Sequence, residues 1–336
     1  MKNRIIIAAL AALLCICGCA KCEPQAEPLV NTVRIGETKM DYLHFGNASG
    51  ETLVILPGLA LKSVMGAAEG IKAAYAPLAA DYDIYLFDHI REEPEGYSIA
   101  DMARDTLCAF DALGLLRVHL MGVSMGGMVS QRIAVDAPER VASLILCSTA
   151  MNLTHGNREA FANWISLAEA QNTSALTEAF GETVYSPAFF AQYKDAIIAS
   201  GEGATARDFR NFLISANAVL AFDVSDEIQA IACPVLVLGA GEDRVLGVQA
   251  SYDLIEALHG ESYIYEGYGH AAYDEAPDYL DHIAAFLKGI RHSGVELLPY
   301  HAMGEHKYAA LGREVEPFTA PPKEEMERYR QILSEA

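Results

Sequence analysis

Short, continuously apolar runs alternate with segments of helical periodicity through most of the chain. Because these runs lack the alternation of polar and apolar residues found in half-exposed strands, they predict strands buried on both faces. Buried strands separated by helices are typical of an α/β fold, here with a mostly parallel central sheet and helices on both faces. The predicted strands are 52–56, 84–87, 118–121, 142–147, 234–238 and 262–265.

Start and stop signals delimit the helices between these strands. Ser98 and Asp101 are typical of a helix start, and Gly114 ends the same segment. Two alternating segments within residues 30–45 predict a β-hairpin before the first core strand. The predicted helices are 64–80, 98–113, 125–136, 248–258 and 274–288.

Residues 151–226 interrupt the alternation, since they contain helical stretches (158–171 and 206–222) but no convincing strand. Such an insertion predicts a helical cap over the sheet edge formed by the carboxyl ends of the strands, where α/β sheets bind ligands. Its aromatic residues would either line a pocket or pack against the sheet. They are Trp164, Phe180, Tyr185, Phe189, Phe190, Tyr193, Phe209, Phe212 and Phe222.

The chain therefore divides into four predicted parts. They are an N-terminal segment 1–22, a core made of 30–150 and 227–289, the cap 151–226, and an appended tail 290–336.

Ser124 stands between two glycines in the stretch LMGVSMGG, residues 120–127. A Gly-x-Ser-x-Gly match arises by chance roughly 0.1 to 0.2 times in a chain of this length, so its context matters. A nucleophile elbow needs a strand, a tight turn and a helix, because the serine adopts a strained backbone conformation with small neighbours two positions away. Gly122, Gly126 and the flanking predicted elements meet these requirements. A glycine-rich turn without chemistry is the alternative.

A serine hydroxyl needs a general base, and a histidine base needs an acid that orients it. Asp243 follows the predicted strand 234–238, and His270 follows the predicted strand 262–265. Residues just after the carboxyl ends of parallel strands converge at one sheet edge. We therefore predict a triad of Ser124, His270 and Asp243, in the chain order serine, acid, histidine.

Other residues compete for these roles. Glu242 adjoins Asp243, although the shorter aspartate is favoured at the apex of the loop. None of the nine other histidines combines a late strand with a glycine-flanked loop. His89 and His155 remain candidates for the pocket wall.

The tetrahedral intermediate of acyl transfer needs two backbone N–H groups aimed at its oxyanion. Met125, at the predicted helix start directly after Ser124, is the first candidate donor. Leu59 is the second, because it lies in the loop after the first core strand, where Gly58 permits a sharp turn. A simple strand-ending turn at Pro57 and Gly58 is the alternative for this second position.

Together these motifs resemble the α/β-hydrolase family, in particular its capped serine hydrolases. The resemblance implies hydrolysis of a small ester, thioester or lactone through an acyl-enzyme, without a cofactor. Many members have a histidine where this chain has Pro57. This difference lies in the loop that carries Leu59, the second candidate oxyanion donor. The family also contains carbon–carbon bond hydrolases, cofactor-free haloperoxidases or perhydrolases and members that only bind ligands, and these alternatives stay open. The matching stretches are LPGLAL (56–61), YSIADMARDTLCAFDALGL (97–115), HLMGVSMGGMVSQRIAVDAPERVASLIL (119–146), PVLVLGAGEDRV (234–245) and YGHAAYDEAPDYLDHIAAFL (268–287).

The tail resembles something else. Residues 295–333 are similar to the C-terminal end of glycyl-radical-enzyme activating proteins of the radical SAM class. Those enzymes bind an iron–sulfur cluster through closely spaced cysteines, whereas residues 290–336 contain none. The tail therefore implies no radical chemistry and resembles an appended fragment.

The first 22 residues resemble an export signal, because Lys2 and Arg4 precede a short apolar core and then small residues. Residues 16–19, Ile-Cys-Gly-Cys, resemble a bacterial lipobox in which Cys19 would be lipidated. We expect an exported protein, lipid-anchored to the outer face of a bacterial cell membrane or otherwise secreted.

A formal net charge of −21 argues against nucleic acid or an anionic membrane surface as a partner, because both attract clustered Lys and Arg. The expected partner is a small acyl substrate, and membrane contact would come only through the lipid anchor. Cys108, Cys147 and Cys233 stand singly in apolar surroundings and are expected to be buried. No cysteine spacing indicates a metal site or a disulfide framework.

Overall fold

The computed structural model describes residues 29–291. The predicted signal 1–22 with Cys19, and the predicted tail from residue 292 onward, lie outside the described residues. The chain divides into two units, Met1–Ala284 and Ala285–Ala336. The central sheet, the helical insertion and the candidate site all belong to the first unit.

One eight-stranded sheet forms the core, with the strand order β1-β2-β4-β3-β5-β6-β7-β8. β1 and β2 form an antiparallel hairpin, and β2 also pairs antiparallel with β4. All pairs from β4 to β8 are parallel, so the sheet is mostly parallel, as predicted. The strands are β1 (Val30–Ile35), β2 (Thr38–Gly46), β3 (Glu51–Leu56), β4 (Tyr82–Ile90), β5 (Val118–Val123), β6 (Val141–Cys147), β7 (Val235–Ala240) and β8 (Glu261–Tyr265).

Both faces of this sheet are buried. In β3, Val54 and Leu56 join the apolar cluster that includes α4, and Leu53 and Ile55 on the opposite face are equally buried. α4 packs on β3, β5 and β6, while α9 packs on β7. The helices are α1 (Ala68–Ala74), α2 (Ala76–Ala79), α3 (Ile99–Leu113), α4 (Met125–Asp136), α5 (Arg158–Glu169), α6 (Thr173–Val184), α7 (Pro187–Ser200), α8 (Ala206–Leu220), α9 (Val248–Leu258), α10 (Ala272–Glu275) and α11 (Tyr279–Arg291).

Helix α3 shows how closely local signals fix an element. Ser98 accepts the Asp101 backbone N–H, and the Asp101 carboxylate accepts the Ser98 N–H, which completes a capping box. Gly114 ends the helix at φ 71°, a left-handed conformation that glycine adopts without strain.

Two predicted helices are divided at prolines, and here the predictions were wrong. The predicted helix 64–80 is a 3-10 turn (Val64–Ala67) followed by α1 and α2, with Pro77 in the first turn of α2. The predicted helix 274–288 is interrupted before Pro277, where Ala276 takes an extended conformation with ψ 123°. Proline lacks a backbone donor and disfavours helical conformation in the preceding residue.

Two further expectations need correction. β4 extends beyond the predicted 84–87 to Tyr82–Ile90, because its first residue pairs with Glu51 of β3 and its last with Met40 of β2. Cys108 is exposed on α3 and Cys233 is half-buried, and of the three only Cys147 is fully buried. The apolar neighbours of Cys108 face the core at other positions of the helix.

Helices α5 to α8 lie between β6 and β7 in the chain and pack on one another. Residues 151–226, all of them described, contain no strand, and one isolated bridge joins Asn152 to Asp223 near their two ends. Trp164 is 1% exposed, and its ring lies 4.9 Å from that of Phe161 and 4.7 Å from that of Phe180. Within residues 29–291 no helix is both long and apolar enough to span a membrane.

Candidate active site

Ser124 occupies a tight turn between β5 and α4, with φ 52° and ψ −117°. A positive φ is costly for a residue with a side chain, so the surroundings must impose it. The Ser124 N–H donates to the Cys147 carbonyl at 2.8 Å, and the Thr149 hydroxyl donates to the Ser124 carbonyl at 2.7 Å. The end of β6 therefore holds the backbone of this serine from both sides.

The flanking glycines are needed because backbone segments cross at this turn. A Cβ at Gly122 would lie 2.4 Å from the Gly126 carbonyl oxygen, and a Cβ at Gly126 would lie 2.2 Å from the Leu56 carbonyl oxygen. Both distances are far shorter than any real Cβ contact. The sequence pattern Gly-x-Ser-x-Gly thus has a steric cause in this fold.

The structure brings Ser124, His270 and Asp243 together, although they lie far apart in the sequence. The Ser124 Oγ is 2.9 Å from His270 Nε2, and His270 Nδ1 is 2.8 Å from Asp243 Oδ2. The three residues follow β5, β8 and β7, so each stands beyond the carboxyl end of a parallel strand. His270 is 2% exposed and Asp243 is 8% exposed, which shields both from bulk water.

Asp243 is held in its ionised form. Burial by itself raises the pKa of this carboxyl, but the adjacent charge and hydrogen bond of His270 lower it, and the net shift is downward. The second carboxyl oxygen accepts the backbone N–H groups of Val245 at 2.8 Å and Leu246 at 2.9 Å. A carboxylate with these partners can orient an imidazole and stabilise its charged form.

The competing residues lie elsewhere. Glu242 is exposed, and its backbone N–H donates to the Tyr268 carbonyl. His155 pairs with Asp253 at 3.1 Å. His89 lines a separate polar cleft next to the Gly58 loop.

Leu59 and Met125, the expected oxyanion donors, flank Ser124. Met125 is the first residue of α4, where backbone N–H groups have no acceptor within the helix. Leu59 lines the same cavity as Ser124 and His270. The loop approaches closely, since a Cβ at Gly58 would lie 3.1 Å from Ser124 Cβ.

An apolar cavity opens at the serine, enclosing about 410 Å³ of space between atoms, its mouth included. Trp164 and Phe180 of the insertion line it, together with Phe161, which the sequence pattern did not single out. Phe209 and Phe212, by contrast, are buried and do not line this cavity. The insertion thus contributes both a pocket wall and ordinary packing.

The junction between α6 and α7 is fastened to the loops that carry Asp243 and His270. The Val184 carbonyl accepts the Ala271 N–H at 3.0 Å, and the Tyr185 carbonyl accepts from Arg244 at 2.6 Å. The Tyr185 hydroxyl donates to Asp274 at 3.0 Å. Nothing in the sequence indicated these contacts, because they join segments about 60 to 90 residues apart.

Val245 and Leu246 were also missed, although one signal was available. An aspartate that accepts backbone N–H groups two and three residues later is a common turn device. No group of three or more His, Cys, Asp or Glu side chains in residues 29–291 is arranged to hold a metal ion.

These features define a protein of the α/β-hydrolase class. The family model described as "Alpha/beta hydrolase family" matches residues 53–281, which is more than half of the chain. The chain belongs to this family.

Two curated relatives share about 30% of the aligned residues. "Putative carbamate hydrolase RutD" of Variovorax paradoxus (strain S110) is 32% identical over 165 residues, which are 48% of this chain and 62% of that protein. The protein of the same name from Klebsiella pneumoniae (strain 342) is 29% identical over 213 residues, 61% of this chain and 80% of that one. The first alignment thus spans less than two thirds of the relative.

Solved structures share the fold at lower identity. An enol-lactonase from Burkholderia xenovorans LB400 matches 77% of this chain and 100% of its own, with a TM-score of 0.66 at 20% identity. A thermophilic esterase from Thermogutta terrifontis covers 77% of this chain and 99% of its own, with a TM-score of 0.66 at 21% identity. At these identities the likeness concerns the fold alone.

Proposed function

We propose that this protein is a serine hydrolase that cleaves a small ester, thioester or lactone through an acyl-enzyme intermediate. The observation that carries the proposal is the continuous hydrogen-bonded line from Ser124 through His270 to Asp243, with contacts of 2.9 and 2.8 Å. A nucleophile, a base and an orienting acid in this geometry are the parts that acyl transfer requires.

In the first half of the reaction, His270 Nε2 takes the proton from Ser124 Oγ as the oxygen attacks the substrate carbonyl carbon. Asp243 accepts the Nδ1–H of His270, which fixes the tautomer that leaves Nε2 free and stabilises the imidazolium that forms. The lowered pKa of Asp243 keeps its charge available for this purpose.

The carbonyl oxygen becomes an oxyanion, which the backbone N–H groups of Leu59 and Met125 are proposed to bind. His270 then gives its proton to the leaving group as the bond to the acyl carbon breaks. In the second half, a water molecule takes the place of Ser124, His270 removes its proton, and the acyl-enzyme is hydrolysed.

Activity should depend on all three side chains. We expect Ser124→Ala and His270→Ala each to lower kcat for p-nitrophenyl butyrate by at least about 10³-fold, and Asp243→Asn by about 10³- to 10⁴-fold. Ser130→Ala, a buried serine of α4 whose hydroxyl donates to a backbone carbonyl, is the matched control and should keep most of the activity.

A fluorophosphonate probe gives a second readout that does not depend on the choice of substrate. Labelling of wild type at Ser124, and its loss in Ser124→Ala, would support the nucleophile. A protein that keeps this fold only to bind a ligand would show neither labelling nor turnover, and that result would refute the enzyme proposal.

The substrate panel should include carbamates. The curated relatives carry the name of a carbamate hydrolase, and a carbamate offers the same carbonyl carbon to a serine nucleophile. Comparing p-nitrophenyl esters, thioesters, lactones and carbamates, each in wild type and Ser124→Ala, would decide which acyl group this site prefers.

A further inference from the structure

A second cleft lies beside the Gly58 loop, and most of the residues that line it have charged or polar side chains. It encloses about 880 Å³ of space between atoms, its open mouth included. Its walls are the loop after β3, the loop after β4 and helix α8 of the insertion. The reaction proposed above uses no side chain of this cleft.

The cleft borders the turn that carries the reacting serine. Gly58 lines both this cleft and the apolar cavity, and Met125 lines the cleft directly after Ser124. A Cβ at Gly58 would stand only 3.1 Å from Ser124 Cβ, so the Gly58 backbone lies at the border between the two spaces. The cleft therefore begins beside the turn that carries Ser124.

Hydrogen bonds within the protein hold the floor of the cleft in place without a ligand. The Ser215 hydroxyl of α8 lies 2.9 and 2.8 Å from the two carboxyl oxygens of Glu93, and the Asn211 amide donates to the Arg91 carbonyl at 3.0 Å. Glu93 is 5% exposed, and burial is the main cause of its raised pKa. These contacts fix α8 on the loop after β4, so the lining does not need to be ordered by a ligand.

The charges in the cleft compensate one another. Arg91 forms a two-pronged pair with Asp41, and Lys62 donates to the Glu202 carbonyl at 2.7 Å. The lining has four acids (Asp41, Asp88, Glu93 and Asp208) and three bases (Lys62, Arg91 and Arg207), so it offers donors and acceptors without excess positive charge. In a chain of net charge −21, such a cleft does not select an anion.

Unused hydrogen-bonding capacity remains on the lining. Within residues 29–291, Arg207 is exposed and has no ion pair or hydrogen bond, and the buried His89 Nε2 has no hydrogen-bond partner. Hydroxyl groups, which both donate and accept, are the uncharged groups that match this mixture.

We infer that the polar cleft binds a hydroxyl-bearing, uncharged acyl group, while the apolar cavity takes an apolar leaving group. This inference rests on the proposed function. His270 must protonate the leaving oxygen, and it lines the apolar cavity with Trp164 and Phe180 but not the polar cleft. The substrate class is therefore an ester of a hydroxy or polyhydroxy acid with an apolar alcohol.

The test keeps the leaving group constant and varies the acyl group. p-Nitrophenyl 3-hydroxybutyrate is compared with the butyrate, p-nitrophenyl glycerate with the propionate, and the mono-p-nitrophenyl ester of succinic acid supplies a charged acyl group. Each kcat/KM is divided by the rate constant of alkaline hydrolysis of the same ester, because hydroxyl groups also change intrinsic reactivity. We expect the hydroxylated esters to exceed their plain partners by about threefold to tenfold in wild type, as one or two added hydrogen bonds would give.

Arg207→Ala removes the guanidinium that has no partner among residues 29–291. Arg210→Ala is the control, because Arg210 is exposed on the same helix and does not line the cleft. Arg207→Ala should bring the hydroxylated and plain esters to within about twofold of each other. Arg210→Ala should keep the wild-type preference.

Three results would overturn the inference: no preference for hydroxylated esters in wild type, a preference that survives in Arg207→Ala, or the highest corrected rate with the succinate ester. If the butyrate is turned over in a Ser124-dependent way but hydroxylated esters are not preferred, this inference is refuted and the proposed function stands. Absence of any Ser124-dependent turnover or labelling removes both.

Discussion

At the scale of single residues, the strained turn at Ser124 depends on how close neighbouring backbone segments come. Its φ of 52° is stabilised by hydrogen bonds from Ser124 to Cys147 and from Thr149 to Ser124. Gly126 sits where the start of α4 passes the end of β3, and its missing side chain makes that crossing feasible.

Gly126→Ala should therefore displace α4 from β3, because the new Cβ would meet the carbonyl oxygens of Leu56 at 2.2 Å and Pro57 at 2.5 Å. We expect destabilisation of at least about 2 kcal/mol, a fall in Tm of roughly 5 °C or more, and loss of fluorophosphonate labelling. Circular dichroism melting curves measure the first effect.

Gly66→Ala is the matched control, because a Cβ there would meet no atom within 4 Å. Its Tm should stay within about 1 °C of wild type, as for most exposed substitutions. Equal melting temperatures for Gly126→Ala and Gly66→Ala would contradict the steric account of the turn.

At the scale of elements, the α6–α7 junction connects the helical insertion to α10, the short helix that follows β8. Ser186 donates its backbone N–H to Glu275 at 2.9 Å, and the Tyr185 hydroxyl donates to Asp274. Burial raises the pKa of Asp274 to about 6, with the charge of Glu275 adding to the shift and the Tyr185 hydrogen bond opposing it.

Because the pKa of Asp274 is raised in the folded protein, this carboxyl makes the free energy of unfolding decrease as pH rises. The folded protein holds the Asp274 proton up to about pH 6, whereas the reference carboxyl releases it near 3.8. The stabilisation is therefore complete below about pH 3.8 and is lost as pH rises through 6, at a slope of at most about 1.4 kcal/mol per pH unit.

Asp274→Asn removes this titration and keeps an oxygen that can accept from Tyr185. We expect the Tm of the variant, relative to wild type, to increase by a few degrees between pH 4 and pH 8. Asp226→Asn, at an exposed position, should show a constant difference over the same range. A constant difference for Asp274→Asn as well would show that this carboxyl is not protonated in the folded protein at pH 5.

At the scale of the whole molecule, the net charge of −21 means that an anionic membrane surface does not attract this protein electrostatically. Attachment to a membrane would need a hydrophobic anchor, and each buried methylene of an acyl chain contributes about 0.8 kcal/mol. We propose that the N-terminal segment is an export signal and that Cys19 carries this anchor.

Expression of the full chain in a bacterium, followed by mass spectrometry of the mature N-terminus, tests the anchor. We expect a diacyl- or triacyl-modified Cys19 as the first residue, and partition of the protein into detergent. Cys19→Ser should abolish both, whereas Cys22→Ser, three residues further along, should abolish neither. An unmodified mature N-terminus beyond Cys19 would exclude lipidation.

Much of the fold could be predicted from local signals. α4 and α9 have the bounds that the sequence predicted, and the capping box of Ser98 and Asp101 starts α3. Apolar runs correctly located each strand of the parallel part, because burial on both faces leaves a continuous signal along the chain. Boundaries failed where a proline interrupts a helix, as at Pro77 and Pro277, or where pairing with neighbouring strands extends a strand, as at the two ends of β4.

The sequence by itself determined which residues could meet at the candidate site. Chain order and strand ends predicted that Ser124, Asp243 and His270 share one sheet edge, since every parallel strand ends at the same side. Only the tertiary structure decided what surrounds them: the Val184–Ser186 contacts, the aromatic wall and the polar cleft. The physical reason is that these arise where segments distant in the chain pack together, and neither periodicity nor spacing encodes which of those segments will touch.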